Sequence, residues 1–242
     1  MNPIDWALVD AALFDLDGVL TPTALVHESA WKRSFDEFLA DRDGSEYRPF
    51  TEPDYLDHVD GKPRYNGVRD FLTSRGITLP DGSPSDDPGF ETVCAIGNLK
   101  NEMFNKVLEE QGVEPYPDAV ALLDALGETG VALGVVSSSA NAKPVLAAAG
   151  LSDRFQFVMD GVVARKRHLP GKPAPDTFLS AAEELGFMAA RSVVFEDAVS
   201  GVAAGAAGGF AVVVGVDRTG SATALSDAGA TIVVQDLATL SP

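Results

Sequence analysis

From Val113 onward, short runs of apolar and β-branched residues alternate with longer amphipathic segments. The runs are VALGVVS (131–137), FQFVMDG (155–161), SVVFED (192–197), FAVVVGV (210–216) and TIVV (231–234). Each has the length and composition of a strand buried on both faces. The intervening segments 118–129, 142–149, 176–186, 198–207 and 221–228 have helical spacing. Strands and helices in strict alternation predict a doubly wound parallel sheet, a Rossmann-like α/β fold. ALFDL, within the apolar run that opens at Ala11, supplies its first strand.

Between Leu20 and Glu114 the pattern changes. Apolar positions recur at helical spacing at His27, Trp31, Phe35 and Phe38, at Val68, Phe71 and Leu72, and at Met103, Val107 and Leu108, with no convincing strand among them. The stretch LPDGSPSDDPGFE (79–91) holds three prolines and two glycines and predicts a solvated loop. The chain is therefore expected to build an α/β core from 1–20 and 114–242, with a helical domain inserted at 21–113.

Composition narrows the function. A formal net charge of −18 over 242 residues opposes binding to nucleic acid or to an anionic membrane surface. The only basic run is Arg165-Lys166-Arg167-His168. The single cysteine, Cys94, excludes an internal disulfide and a thiolate metal cluster. No apolar stretch reaches the length of a membrane-spanning helix, and MNPIDWALVD lacks the pattern of a secretory leader. A cytoplasmic monomer acting on a small molecule is expected, with neither nucleic acid nor membrane as partner.

The polar residues at the strand ends carry the chemistry. Asp15 and Asp17 end the first strand, where alternation would put both carboxylates on one face. Their repulsion calls for a cation or a proton. Ser137 ends the second strand, Lys172 lies in GKPAPDTF after the third, and Glu196 and Asp197 end the fourth. Ligands of open α/β sheets bind beyond the carboxyl ends of the strands, so these residues are expected at one rim. Carboxylates without thiolate or histidine make a hard-oxygen site suited to Mg²⁺. Lysine, hydroxyl and metal together suit a phosphoryl group, which a carboxylate can attack to give an aspartyl-phosphate. One aspartate would then be the nucleophile and the other the general acid and base.

Taken singly, each signal has a plainer reading: a turn at Asp15–Gly18, a helix cap at Ser137 or at Glu196-Asp197, a surface lysine at Lys172. A calcium loop fails on spacing, since its first and twelfth ligand positions would fall on Leu13 and Ala24. The ordered set at successive strand ends favours the catalytic reading.

Asp15-Leu16-Asp17-Gly18, Ser137, Lys172 and Glu196-Asp197 resemble the four motifs of the haloacid dehalogenase superfamily of phosphotransferases. The resemblance covers nearly the whole chain. It implies Asp15 as nucleophile, Asp17 as acid/base, and Mg²⁺ held by Asp15, the Asp17 backbone carbonyl, Asp197 and Glu196. It also implies that the insert is a helical cap closing over the site.

Within the superfamily, His27 and Trp31, Gly61-Lys62-Pro63-Arg64, Lys100-Asn101 and Ser137-Ser138-Ser139-Ala140-Asn141 resemble the β-phosphoglucomutase-like subfamily. The resemblance implies a phosphorylated sugar as substrate, bound by His27, Trp31, Gly61, Arg64, Lys100, Asn101, Ser139 and Asn141. Arg64 and Lys100 would grip the phosphate that is not transferred, and His27 would restrain Asp17 until sugar arrives. Ala140 and Pro22 depart from the subfamily, which usually places a cation and an acid there. The implied activity is conversion of β-glucose 1-phosphate to glucose 6-phosphate through glucose 1,6-bisphosphate. The alternative is a sugar-phosphate phosphatase using the same aspartate. A non-catalytic phosphosugar-binding module would be expected to lack Asp15, Asp17 or Lys172, and all three are present.

Overall fold

The computed structural model describes residues 3–242. The chain divides into two compact units, one holding the chain up to Thr23 together with Val113–Pro242, the other Ala24–Gly112.

The first unit is a six-stranded parallel sheet in the order β3-β2-β1-β4-β5-β6. Its strands are β1 (Ala11–Phe14), β2 (Ala132–Val136), β3 (Phe157–Met159), β4 (Ser192–Glu196), β5 (Val212–Val216) and β6 (Ile232–Val234). The register aligns Phe14 with Val135 on one side and with Phe195 on the other. The order reverses direction at β1, which makes the carboxyl end of β1 the switch point where such sheets bind ligands. Five of the helices that flank this sheet match the expected segments: α5 (Pro117–Gly127), α6 (Ala142–Ala148), α8 (Asp176–Glu184), α9 (Val199–Ala207) and α10 (Ala222–Asp227). Leu13, Val136, Phe178, Val194, Val202 and Val213 are buried in one of the clusters between sheet and helices.

Two elements differ from expectation. The third strand stops at Met159, because Asp160 caps the short helix α7 (Gly161–Lys166), accepting from the Val162 and Val163 N–H groups at 2.9 and 2.7 Å. The first strand stops at Phe14. Asp15 N–H still donates to Phe195 O at 2.9 Å, but the chain then turns through Gly18 at φ +91°. Both acids thus stand just beyond the strand, with Asp17 in an isolated bridge to Thr21 and close enough to repel the Asp15 carboxylate.

The second unit is helical, with α1 (Thr23–Asp43), α2 (Glu52–His58), α3 (Arg64–Ser74) and α4 (Val93–Gln111). Trp31, Phe35, Phe38, Phe50, Phe71 and Ile96 fill its core, with the Phe35 and Phe71 rings 4.2 Å apart. Thr92 caps the start of α4, and Gly112 ends it at φ +67°. The α2 segment carries too few apolar residues to show a helical stripe; a Thr51–Asp54 capping box and Pro53 start it instead. Residues 79–91 form no helix or strand, as expected of a loop.

Candidate active site

Lys172 and Asp15 lie 157 residues apart in sequence, yet the Lys172 ammonium donates to Asp15 Oδ1 at 2.5 Å and to the Val136 carbonyl at 3.1 Å. It also forms an ion pair with Glu196 Oε1. Its side chain is only 1% exposed. Burial alone would lower the Lys172 pKa, but Asp15 and Glu196 outweigh it and hold the amine protonated well above its ordinary value. For Asp15 the balance runs the other way. Burial pushes its carboxyl well up, Lys172 opposes this, and Glu196 and Asp17 add repulsion.

Carboxylate oxygens of Asp15, Glu196 and Asp197 lie within 4.8 Å of one another. These three acids and one ammonium leave two negative charges in a largely buried pocket, the balance that one divalent cation supplies. Oxygen donors alone select Mg²⁺ over softer metals. Backbone leaves room for this packing at two glycines. A Cβ on Gly18 would overlap the Asp197 carboxylate, and one on Gly201 would overlap that of Glu196. The residues present therefore fit Mg²⁺.

The Asp17 carboxylate has different partners. Thr23 donates to its Oδ1 at 2.5 Å and Ser137 to its Oδ2 at 3.4 Å. Ser137 Oγ in turn accepts from Ser139 N–H at 3.0 Å, and Ser139 Oγ accepts from Asn141 N–H at 3.1 Å. The segment 137–141 is thus a ladder of side chain to backbone bonds that leads from β2 into α6 and fixes the hydroxyl beside Asp17. The expected helix start at Ser137 lies further on: Asn141 occupies the N-cap of α6.

The helical unit brings together two groups of the residues singled out above. The Lys100 ammonium contacts His27 Nδ1 and lies 5.0 Å from the Trp31 ring centroid and 5.1 Å from that of Phe104. The His27 ring stacks on Phe104 at 4.0 Å. Lys100 is only 4% exposed, so its stem and charge rest among aromatic faces. The second group is Arg64, at the start of α3, which donates to Asn101 Oδ1 at 2.6 Å and more weakly to Asn98 Oδ1 at 3.4 Å. Gly61, at φ +68°, makes the turn that leads into α3.

Several polar residues that support these groups escape a motif reading. Thr23 is one. Arg218 is another, donating to the Gly18 carbonyl at 3.3 Å and the Val19 carbonyl at 3.4 Å, to both Asp118 carboxylate oxygens, and lying 4.1 Å from the Tyr116 ring centroid. Asp118 and Arg218 stand 100 residues apart, and each alone reads as an ordinary surface charge.

Comparison with known proteins gives this geometry its family. Residues 9–209 match the haloacid dehalogenase-like hydrolases. The chain belongs to that family. It is 52% identical over 239 residues to a β-phosphoglucomutase of Mycobacterium tuberculosis, covering 96% of this chain and 91% of that protein. It is 30% identical over 197 residues to the fructose-1-phosphate phosphatase YqaB of Escherichia coli, covering 81% and 91%. Among solved structures, a β-phosphoglucomutase from Clostridium difficile superposes with a TM-score of 0.76 at 25% identity, covering 96% of this chain and 93% of that one. The chemistry of this haloacid dehalogenase-like enzyme is Mg²⁺-dependent phosphoryl transfer through an aspartyl-phosphate. Among the described residues, no helix is long and apolar enough to cross a membrane.

Proposed function

We propose that the protein is a β-phosphoglucomutase, converting β-glucose 1-phosphate to glucose 6-phosphate through glucose 1,6-bisphosphate. The observation that carries this reading is the 52% identity to a β-phosphoglucomutase along nearly the whole of both chains.

In this reading Asp15 is the nucleophile. Its carboxylate oxygen bonds to phosphorus as the bond from phosphorus to the leaving oxygen breaks, and Asp17 protonates that oxygen. On return, a sugar hydroxyl attacks the phosphoenzyme, gives its proton to Asp17, and releases Asp15. Support comes from the separate holding of the two carboxylates, Asp15 by Lys172 and Asp17 by Thr23 and Ser137. Lys172 also offers positive charge to the transferring group, and Ser137, Ser139 and Asn141 line its approach. Asp15, Glu196, Asp197 and the Asp17 backbone carbonyl would hold Mg²⁺, which would supply charge neutralisation for the phosphate. On the helical unit Arg64, Lys100 and Asn101 take the phosphate that is not transferred, while His27 and Trp31 meet the sugar. Gly61 frees the backbone ahead of Arg64. A monomer in the reducing cytoplasm belongs to the same reading, in keeping with a lone, buried Cys94.

The likeness to a fructose-1-phosphate phosphatase favours a second reading, in which water attacks the phosphoenzyme. Ala140 favours it too, because loss of a charge-assisted contact to the transferring phosphate costs about 1.5–3 kcal/mol if nothing replaces it. One assay separates the two. Pure enzyme with Mg²⁺, β-glucose 1-phosphate and a trace of glucose 1,6-bisphosphate is expected to yield glucose 6-phosphate without matching free phosphate. Free phosphate alone would establish the phosphatase. Asp15→Asn should abolish phosphoenzyme formation, and normal turnover by that variant would refute both readings.

A further inference from the structure

The Arg64 guanidinium rests on two amide oxygens one helical turn apart on α4, those of Asn98 and Asn101. Gly97, immediately before Asn98, permits this, since a Cβ there would lie 3.1 Å from Arg64 Cδ and 2.8 Å from the Tyr65 ring. Asn98 is bonded at both ends of its amide. Its Oδ1 accepts from Tyr65 OH at 2.9 Å as well as from Arg64, and its Nδ2 donates to the carbonyls of Pro84 and Asp86 at 3.3 and 2.9 Å. Those carbonyls belong to the loop 79–91, which Asp86 pins by accepting from Ser83 N–H at 3.0 Å and from Thr92 Oγ1 at 2.7 Å. Further backbone bonds tie the loop to the start of α4, Val93 N–H to Pro80 O and Cys94 N–H to Asp81 O. The loop thus fixes which way the Asn98 amide points, and that amide presents an oxygen to Arg64.

We propose that the loop 79–91 is a specificity element, acting through Asn98 as a positioning residue that aims Arg64 at the second phosphate of the substrate. The inference rests on the reading of Arg64 as a phosphate-binding residue and adds what sets its direction. A guanidinium held on one side by fixed amide oxygens keeps its fork pre-organised, so less freedom is lost when a phosphate docks. Without Asn98 the fork samples other rotamers, and the loss falls on substrates that carry a phosphate remote from the reacting one.

The test compares two substrates, β-glucose 1-phosphate with glucose 1,6-bisphosphate, and p-nitrophenyl phosphate, which has no second phosphate. The quantity read is the ratio of their kcat/KM values. Arg64→Ala is expected to lower this ratio by about 100-fold, and Asn98→Ala by about tenfold, through KM for the sugar phosphate, as befits one hydrogen bond to a charged group. In the double variant the loss should equal that of Arg64→Ala alone, because Asn98 acts through Arg64. Asp86→Ala, which removes the side chain that pins the loop but keeps the backbone carbonyl that Asn98 bonds, should lower the ratio in the same direction and also lose its effect in the Arg64→Ala background. A loss at Arg64 with none at Asn98, or with losses that multiply in the double variant, would overturn the inference and leave Arg64 as the phosphate residue. An unchanged ratio in Arg64→Ala would overturn the phosphate-site reading itself. Melting temperatures of all variants identify any that fail to fold, and Asp86→Ala then carries the comparison for Asn98.

Discussion

Asp15 is a carboxylate under opposing influences. Its burial and its acidic neighbours disfavour charge, and a single buried ammonium favours it. Two glycines make that arrangement sterically possible. Gly18 combines a left-handed φ of +91° with a hydrogen that faces the Asp197 carboxylate, so a methyl there would both strain the turn and displace a metal ligand. Gly18→Ala is therefore expected to raise the Mg²⁺ concentration needed for half-maximal activity by at least about tenfold, a loss of roughly 1.4 kcal/mol. A Mg²⁺ titration of activity checks this, and an unchanged midpoint would mean that Asp197 can move aside without loss. Gly201 bears on Glu196 in the same way, but from a helix rather than a turn.

At the scale of elements, the turn after β1 is held from outside by a distant strand end. Arg218, just beyond β5, bonds the Gly18 and Val19 carbonyls, and Asp118 at the start of α5 fixes its guanidinium with two bonds of 2.8 and 3.1 Å. Asp118 also accepts from Leu237 N–H at 2.9 Å, so the pair joins the turn, α5 and the C-terminal segment. Both side chains are 16% exposed, which places the pair between the surface and buried cases. Arg218→Ala should destabilise the protein by about 2–3 kcal/mol, since it leaves a mostly buried carboxylate without its countercharge and two carbonyls without the guanidinium donor. Urea unfolding measures this, and a change below about 0.5 kcal/mol, typical of an ordinary surface substitution, would show that water replaces the guanidinium.

Across the whole molecule, each unit carries such a partly buried pair, Arg218–Asp118 in the α/β core and Arg75–Asp54 in the helical unit. Burial raises the Asp54 pKa, but bonds from Thr51 and Arg75 outweigh it and hold the carboxyl below its usual range; burial acts likewise on Asp118, outweighed by Arg218 and the Leu237 N–H. The folded-state values lie below those of the unfolded chain. Each pair thus contributes stability that is complete above about pH 4 and is lost as pH falls through the depressed value. Asp54→Asn and Asp118→Asn should each lower stability at pH 7 and leave a shallower decline as the pH falls below about 4. Unfolding free energies measured across that range test it, and an unaltered acid decline would assign the loss to other carboxylates. The sequence by itself determined the alternating α/β core, the helical insert and the acids, hydroxyl and lysine at the strand ends, because burial leaves period and composition in the chain and strand-end chemistry follows from fold topology. It also gave the loop 79–91, whose prolines and glycines admit no regular element. Only the tertiary structure decided that Asp17 is held by Thr23 and Ser137, that Asp160 starts a helix, that Asn98 bonds Arg64, and that Asp118 and Arg218 hold the turn after β1. Those outcomes depend on hydrogen bonds and packing between residues up to 200 positions apart, whose partners no local pattern encodes.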